Sequence, residues 1–379
     1  MKYFSVIYRL NILFLFFVIL SAGTEEAPED KPCDTAVHIG GQWFLAYRGN
    51  IPSSGDNAFG LKRGYLTFKK NFNESFSVRY TQDITIDREG EDAGNVEIRF
   101  KYCYLKAGLP DFLFFKQPYV ELGLVHQPWI EYEQKINTYR VQGPMFLDKF
   151  GVTSSADFGI NLVSLIGPEL DEEAKKKVDS EMPGRYGSIS LGIYNGGGYS
   201  ALEMNNNKTL EGRLTLRPLP GFMPGLQFSY GFATGRGNDT LNSKFNYNVF
   251  MISHETAKTT FTAQHYSGTG FHGGGAEGIN YGFSFFGELC VPFTPFTLFG
   301  RFDSFRDNVC NLYSSLTFNG DEIHTKTYIA GLAWVFYKKN RLILDLEKRR
   351  EAVIPSPLSS MSPTYSDEIT AELALEIVF

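Results

Sequence analysis

From residue 37 onward, apolar and polar side chains alternate in short segments that are separated by clusters of Gly, Pro, Asn and Asp. Successive side chains of a β-strand point to opposite faces, so each segment predicts a strand with one apolar and one polar face. In the last stretch, 367–379, one parity holds Ile, Ala, Leu and a terminal Phe, and the other holds mostly Glu and Thr. Sixteen strands are predicted, at 37–48, 59–70, 75–86, 95–106, 119–126, 154–166, 186–195, 209–217, 225–234, 245–253, 258–266, 279–291, 296–305, 324–337, 341–348 and 367–379.

The beginning of the chain has a different pattern. Lys2 and Arg9 precede an apolar run, and small residues follow at Ser21 and Ala22. The run is about 13 residues, shorter than the roughly 20 that a membrane-spanning helix needs, so residues 1–23 are predicted to be a signal peptide. Residues 24–36 are acidic, contain Pro and are predicted to form a flexible segment, which leaves 37–379 as the β domain.

Composition agrees with an all-β chain and excludes some partners. The sequence contains 38 Gly, 34 Phe and 21 Tyr, a content typical of strand-rich proteins. The formal net charge is −6, which argues against nucleic acid as a partner. The cysteines, at 33, 103, 290 and 310, are too widely spaced for a zinc site, and their pairing stays open. No metal or cofactor is predicted.

The polar faces of the predicted strands carry too much charge for a dry protein core. A closed barrel in lipid turns its apolar face outward and lets charged side chains face water inside. The charged wall positions on the inward parity are Arg79, Arg99, Lys101, Glu211, Arg213, Arg217, Arg301, Asp303, Glu372 and Glu376. On the fourth strand, Tyr102 and Tyr104 share the outward parity and Cys103 the inward one.

Connections between the strands mostly alternate between long and short, as in barrels with external loops and periplasmic turns. The segment 167–185 breaks this rule, and its 169–181 portion has the composition of a short surface helix. Either it is an unusual insertion or the strand count is wrong by one at this point. The predicted fold class is an all-β, transmembrane antiparallel β-barrel of about 16 strands, with long external loops and mostly short periplasmic turns.

The longest polar connection in the first half of the chain, 127–153, follows the fifth predicted strand. If it folds into the barrel, its charges would create a transverse field that selects ions by sign. The alternative is that they are ordinary solvated loop charges, and the wall charges likewise could pair with one another and stiffen the wall. The candidate constriction residues are Glu131, Glu133, Lys135, Arg140, Asp148 and Lys149.

Several segments resemble the phosphate-selective porin (O and P) family. They are V-E-L-G-L-V-H-Q-P-W at 120–129, S-S-A-D-F-G-I at 154–160, G-S-I-S-L-G-I-Y-N-G at 187–196 and R-L-T-L-R-P at 213–218. The resemblance implies a bacterial outer-membrane barrel of sixteen strands, often a homotrimer, that passes anions or other small solutes. In porins generally, the loop after the fifth strand narrows the pore. The terminal Phe379 is similar to the signal that the barrel-assembly machinery reads, so this machinery and outer-membrane lipid are the expected partners.

The leading hypothesis is an outer-membrane porin for passive diffusion of small hydrophilic solutes and ions, and not an enzyme. The acidic net charge and the inward Glu372 and Glu376 argue against simple anion selectivity. A substrate-selective anion or phosphate channel is therefore the alternative. An outer-membrane enzyme or an adhesin is a further alternative, although the sequence shows no nucleophile constellation and few long or repetitive loops.

Overall fold

The structure is a computed structural model that describes residues 34–51, 57–87, 90–91, 93–178, 182–275, 277–309, 321–355 and 361–379. The predicted signal peptide lies outside the described residues, as do Cys33, Cys310 and nearly all of the predicted flexible segment. Cys103 and Cys290 are free thiols.

Sixteen antiparallel strands form one closed barrel, because the last strand pairs with the first as well as with its predecessor. The predicted fold class and strand number are confirmed. The strands are β1 (Val37–Asn50), β2 (Ala58–Asn71), β3 (Phe76–Ile86), β4 (Val96–Gly108), β5 (Phe115–His126), β6 (Ala156–Ile166), β7 (Gly187–Tyr194), β8 (Thr209–Leu216), β9 (Leu226–Arg236), β10 (Lys244–Glu255), β11 (Thr259–Thr269), β12 (Ile279–Cys290), β13 (Phe296–Val309), β14 (Asp321–Tyr337), β15 (Asn340–Ile354) and β16 (Thr364–Val378).

Three short helices lie in the connections of the described chain: α1 (Pro128–Ile136), α2 (Phe146–Lys149) and α3 (Glu172–Lys177). In the residues that the structure covers, no helix has the length and apolar character needed to cross a membrane. We call the barrel end that carries Val37 and Val378 the turn end, and the opposite end the loop end.

Alternation places the side chains as predicted in most strands. In β8, Leu214 and Leu216 are exposed on the outer face, whereas Glu211, Arg213 and Thr215 are buried inside. In β16, Glu372 and Glu376 point inward, and Leu373 is exposed outside. An outer face of this kind suits lipid, because a closed barrel satisfies its backbone hydrogen bonds internally.

The barrel closes at the turn end with Phe379 against β1. The backbone of Phe379 exchanges two hydrogen bonds with Gly41, at 2.9 and 3.1 Å. The Phe379 ring covers Gly41 so closely that a Cβ on this glycine would lie 2.3 Å from it. The absence of a side chain at Gly41 therefore lets the Phe379 ring lie against β1.

The connection between β6 and β7 is an insertion at the turn end, so the predicted strand count is correct. It contains α3, which confirms the predicted helix; the Asp171 side chain accepts a hydrogen bond from Ala174 N (2.8 Å) and caps its start. Met182 packs with Val163 and Leu165, which face the inside of the barrel. The insertion therefore covers part of the turn end from within.

The connection expected at 349–366, between the last two predicted strands, is shorter than predicted, because both strands extend into it. β15 continues to Ile354 and β16 begins at Thr364. Arg350 donates to both carboxylate oxygens of Asp367, at 2.7 and 2.8 Å. Cross-strand charge pairs support strand continuation, whereas the hydrophobic pattern used for the prediction fades there.

The predicted outward direction of Tyr102 and Tyr104 is also wrong. A β-bulge at Lys101 lets Thr81 pair with Tyr102 and Gln82 with Phe100. One extra residue reverses the parity that follows it. Tyr102 consequently faces inward with Lys101, and Cys103 is exposed on the outer face.

A second bulge occurs in β2, where Phe44 pairs with Arg63 but Leu45 pairs with Leu61. The extra residue, Lys62, contacts loop residues inside the barrel, and Arg63 also contacts inward-facing groups. Two bulges on neighbouring parts of the wall thus increase the number of cations that face the lumen.

Candidate pore and its internal loop

The connection 127–153 enters the barrel and packs against its inner wall. Trp129 and Ile130 of α1 are fully buried, in one cluster with inward residues of β9, β10 and β11. A Cβ on Gly231 of β9 would lie 2.4 Å from the Trp129 ring. The missing side chain at this position therefore makes room for the tryptophan.

Polar contacts hold the same helix in place. Ser229 Oγ donates to Tyr132 Oη (3.1 Å), and the Arg213 guanidinium lies 4.3 Å from the Tyr132 ring centroid. Gln264 Nε2 donates to Glu133 Oε1 (2.7 Å). These partners come from β8, β9 and β11, so α1 is attached to one side of the wall.

Cations of the wall hold the backbone of the segment between α1 and α2. Lys62 Nζ donates to the carbonyl of Val141 (2.6 Å), and Arg301 Nη1 donates to that of Pro144 (2.6 Å). Arg341 donates to the carbonyl of Thr138. Charged donors make the stronger class of hydrogen bond, so these three cations are loop anchors.

The end of the loop is seated on β12–β15. Phe146 of α2 packs with Phe305, and a Cβ on Gly282 would lie 3.0 Å from the Phe146 ring. Lys149 Nζ lies 3.2 Å from Glu347 Oε1 and 3.8 Å from Asp303 Oδ2. The loop thus contacts the inner wall from β8 around to β2.

Five of the ten predicted wall charges are neutralised by local ion pairs. Arg301 Nε lies 2.9 Å from Asp303 Oδ1, and Arg99 Nη2 lies 3.1 Å from Asp83 Oδ2. Glu372 pairs with Lys62, and Glu376 pairs with Arg341. Arg213 and Arg217 donate instead to neutral groups, namely the hydroxyls of Ser188 and Thr215 and the carbonyl of Gly184.

Beside the loop, the β1–β4 wall borders a cavity of about 340 Å³ that reaches the turn end. Its residues include four cations, Lys69, Arg79, Lys101 and Arg140. Among the described residues that line it, none is acidic. The two bulged strands and the loop therefore enclose a basic compartment.

Aromatic rings orient two of these cations. The Arg79 guanidinium lies 4.4 Å from the Tyr102 ring centroid and donates to His126 Nε2 (3.1 Å). Arg140 Nη2 donates to Tyr65 Oη (2.7 Å). Both rings are therefore part of the basic compartment, and the bulge at Lys101 is what brings Tyr102 there.

Lys101 is buried and donates to Ser155 Oγ. In the part of the chain that the structure describes, no ion pair within 4.0 Å joins Arg79, Lys101 or Arg140 to a carboxylate. Electrostatic attraction from Glu131 and Asp148 acts at longer range. The positive charge of the compartment is thus only partly compensated.

Two carboxylates on α1 have opposite environments. Burial disfavours the charged form of Glu131, but His126, Lys135 and Arg79 outweigh burial and hold the pKa of this carboxyl well below its usual range. Burial dominates at Glu133 and raises its pKa, although Arg301 and Gln264 oppose the rise. Glu131 is therefore stabilised as a carboxylate by neighbouring cations that include Arg79 of the basic compartment, whereas Glu133 is buried against the wall.

The six candidate constriction residues are not brought together in one ring. Arg140 lines the basic compartment, and Asp148 is a longer-range partner of its charge. Lys135 lies 3.2 Å from Glu131 and also lines a second cavity, of about 410 Å³, at the turn end. Glu133 and Lys149 are attached to the wall by the contacts described above.

Residues that sequence reasoning missed include Lys62, Arg63, Tyr65, His126 and Tyr199. A signal existed for the first two: a strict strand would turn one member of the Lys-Arg pair toward lipid, at a cost of roughly 2–4 kcal/mol near the bilayer centre. The cost favours a bulge. Tyr199 carried no local signal, because it comes from the connection between β7 and β8.

In the described ranges, no group of three or more His, Cys, Asp or Glu residues is arranged to hold a metal ion.

Comparisons with known proteins support the fold. No family model matches this chain, and no curated protein sequence matches it. Among solved structures, it is similar to OmpT, an outer membrane protein of Vibrio cholerae in a trimer form, with a TM-score of 0.57 and 9% identity over 91% of this chain and 99% of that one.

Two porins are also similar. The anion-selective porin from Comamonas acidovorans gives a TM-score of 0.55 and 12% identity, over 91% of this chain and 100% of that chain. Salmonella typhi OmpF in complex with daunomycin gives 0.57 and 12%, over 91% and 98%. At these identities the likeness is one of fold, that of outer-membrane barrels including porins.

Proposed function

We propose that this protein is an outer-membrane porin that lets small hydrophilic solutes and ions diffuse passively, with the loop 127–153 as its constriction. One observation carries the proposal: a long loop is seated inside a closed sixteen-stranded barrel and leaves a polar compartment beside it. A barrel of sixteen strands is wide enough to leave an aqueous channel, and a loop seated inside would narrow it.

The passage prefers anions. The compartment that the loop leaves is lined by Lys69, Arg79, Lys101 and Arg140 and by no described acid. The inward Glu372 and Glu376, which argued against anions at the level of sequence, are neutralised by Lys62 and Arg341. Rings of charge select ions by sign, and the positive charge here is only partly compensated, so the phosphate-selective alternative gains support as far as the sign of the charge.

Export through a signal peptide, assembly through Phe379 and homotrimer formation belong to the same proposal. One compared structure is described as a trimer form. In this proposal the protein is a channel and not an enzyme.

Planar-bilayer recordings with purified protein test the proposal. We expect stepwise currents and, in a salt gradient, a reversal potential whose sign shows that anions cross more easily than cations. Absence of steps would overturn the channel, and cation preference would overturn the selectivity.

Arg140→Gln should reduce the anion preference, because it removes one of the cations that line the compartment. Arg236→Gln is the matched control, since Arg236 is exposed at the loop end of β9. An equal effect of both substitutions on the reversal potential would mean that overall charge, rather than the compartment, sets the preference.

A further inference from the structure

Tyr199 lies beside the basic compartment, inside the barrel, although it belongs to the connection between β7 and β8 at the loop end. Its hydroxyl donates to Asp83 Oδ2 (3.0 Å), and Arg63 Nη1 donates to that hydroxyl (3.4 Å). Its ring centroid lies 4.3 Å from Lys101 Nζ and 5.7 Å from the Arg99 guanidinium carbon. The phenol therefore contacts β2, β3 and β4, which are distant from its own strands around the barrel.

The register of the strands places Tyr199 on the loop-end side of the compartment. Thr81 and Lys101 line the cavity, whereas Asp83 and Arg99 do not. Asp83 and Arg99 are paired with each other and lie two residues nearer the loop end on their strands. A solute that travels between the loop end and the cavity along this wall consequently meets Tyr199 first.

The backbone before Tyr199 makes a tight turn. Gly196 and Gly198 have φ values of +111° and +81°, which other residues rarely adopt. Asp157 Oδ2 accepts a hydrogen bond from Gly196 N (2.6 Å), and Asn238 Nδ2 donates to the carbonyl of Leu202 (2.7 Å). Gly198 and Gly197 also hydrogen-bond to Asp157 and His272, so the backbone of this turn is held and the side chain of Tyr199 is the part left to move.

An anion can compete with Tyr199 for the groups that hold its ring and hydroxyl. Asp83 is fully buried and also receives Arg99 (3.1 Å) and Arg63 (3.6 Å), so it keeps two cationic partners when the phenol leaves. An entering oxyanion can take hydrogen bonds from Arg63 and Lys101, the groups that hold the ring and its hydroxyl. Charge-assisted hydrogen bonds to an anion are stronger than those to a neutral phenol.

We propose that Tyr199 is the specificity-determining residue of the passage. Its ring closes the loop-end side of the basic compartment, and a small anion enters by displacing it from Asp83, Arg63 and Lys101. Solutes without negative charge cannot compete for these cations, and large solutes cannot pass the displaced ring. This inference rests on the proposed channel function.

The test compares wild type, Tyr199→Ala, Tyr199→Phe and Tyr365→Ala in planar bilayers and in vesicle-swelling assays with carboxylates of increasing size. Tyr365, an exposed tyrosine of β16, is the matched control. We expect Tyr199→Ala to raise single-channel conductance and admit larger carboxylates. Tyr199→Phe should keep the size limit but shorten closed intervals roughly tenfold, as loss of a hydrogen bond to a charged group predicts. Tyr365→Ala should behave as wild type.

The outcomes separate the two proposals. If wild type conducts and Tyr199→Ala has the same conductance and size limit, the role of Tyr199 is overturned and the channel stands. If only Tyr199→Ala conducts, the ring blocks the wild-type barrel permanently, and both the channel function and the displacement of the ring by anions are overturned. If neither conducts although both show the circular-dichroism spectrum of a folded barrel, the channel and the role of Tyr199 are both overturned.

Discussion

The two halves of the barrel use the same kinds of residue for different purposes. On the β8–β15 side, the cations hold the loop: Arg301 and Arg341 bind its carbonyl groups and pair with Asp303 and Glu376. On the β2–β4 side, Lys62 also holds a loop carbonyl, but Arg79 and Lys101 contact rings and neutral acceptors beside an open cavity. An inward arginine is therefore not a pore residue by direction alone; what it contacts decides its role.

The helix α1 lies on the border between these halves. Its Glu131 is stabilised as a carboxylate by His126, Lys135 and Arg79. Its Glu133 is buried against the β8–β15 side. Two residues of one helix thus respond to opposite surroundings.

The largest effect is expected from removal of Trp129, the main apolar anchor of the loop on the β8–β15 side. Trp129→Ala deletes a fully buried side chain, and such changes cost about 3–5 kcal/mol in protein cores. We expect a loosened loop, seen as rapid proteolysis within 127–153 and as noisy, larger conductance. Trp334→Ala, on the exposed outer face, is the control. Equal protease resistance of Trp129→Ala and wild type would contradict the seating of α1.

A second prediction separates an anchoring cation from a lumen cation. Arg301→Gln should lower the free energy of unfolding by about 1.5–3 kcal/mol, since it removes a charged hydrogen bond while Asp303 keeps Ser284 and Lys149. Arg140→Gln loses its hydrogen bond to the Tyr65 hydroxyl but no ion pair, so it should lower this free energy less and should alter the reversal potential. Urea titration in lipid vesicles measures the first quantity. The comparison fails if both variants lose the same stability.

The smallest expected effect is the dependence of the loop on pH. The pKa of Glu131 is below its usual value of 4.5, so its contribution is present above pH 4.5 and is lost as the pH falls further. The pKa of Glu133 is raised, so its contribution is present at low pH and is lost as the pH rises through the raised value.

Channel recordings from neutral pH downward should therefore show more current noise, caused by motion of the loop, below about pH 4.5. Glu131→Gln should remove this acid-induced increase, and Glu133→Gln should leave it in place. The same acid response in all three proteins would assign it to other groups.

Much of the architecture follows from local pattern. Alternation in β8 and β16 predicted which side chains face out, because a strand has only two faces and lipid accepts only one kind of residue on its side. Local pattern failed at the end of β15 and at the beginning of β16, where charged cross-strand pairs replace the apolar row.

The sequence by itself determined the barrel, its sixteen strands, the inward row of charges and the existence of a long connection after β5. Only the tertiary structure decided which charges face an open lumen. The bulges at Lys62 and Lys101 depend on how two strands match residue by residue, and the seat of Trp129 depends on a glycine about a hundred residues away. Tyr199 meets Asp83 and Lys101 only because the barrel closes. Periodicity is a local property, whereas the proposed selectivity depends on contacts between segments that are distant in the sequence.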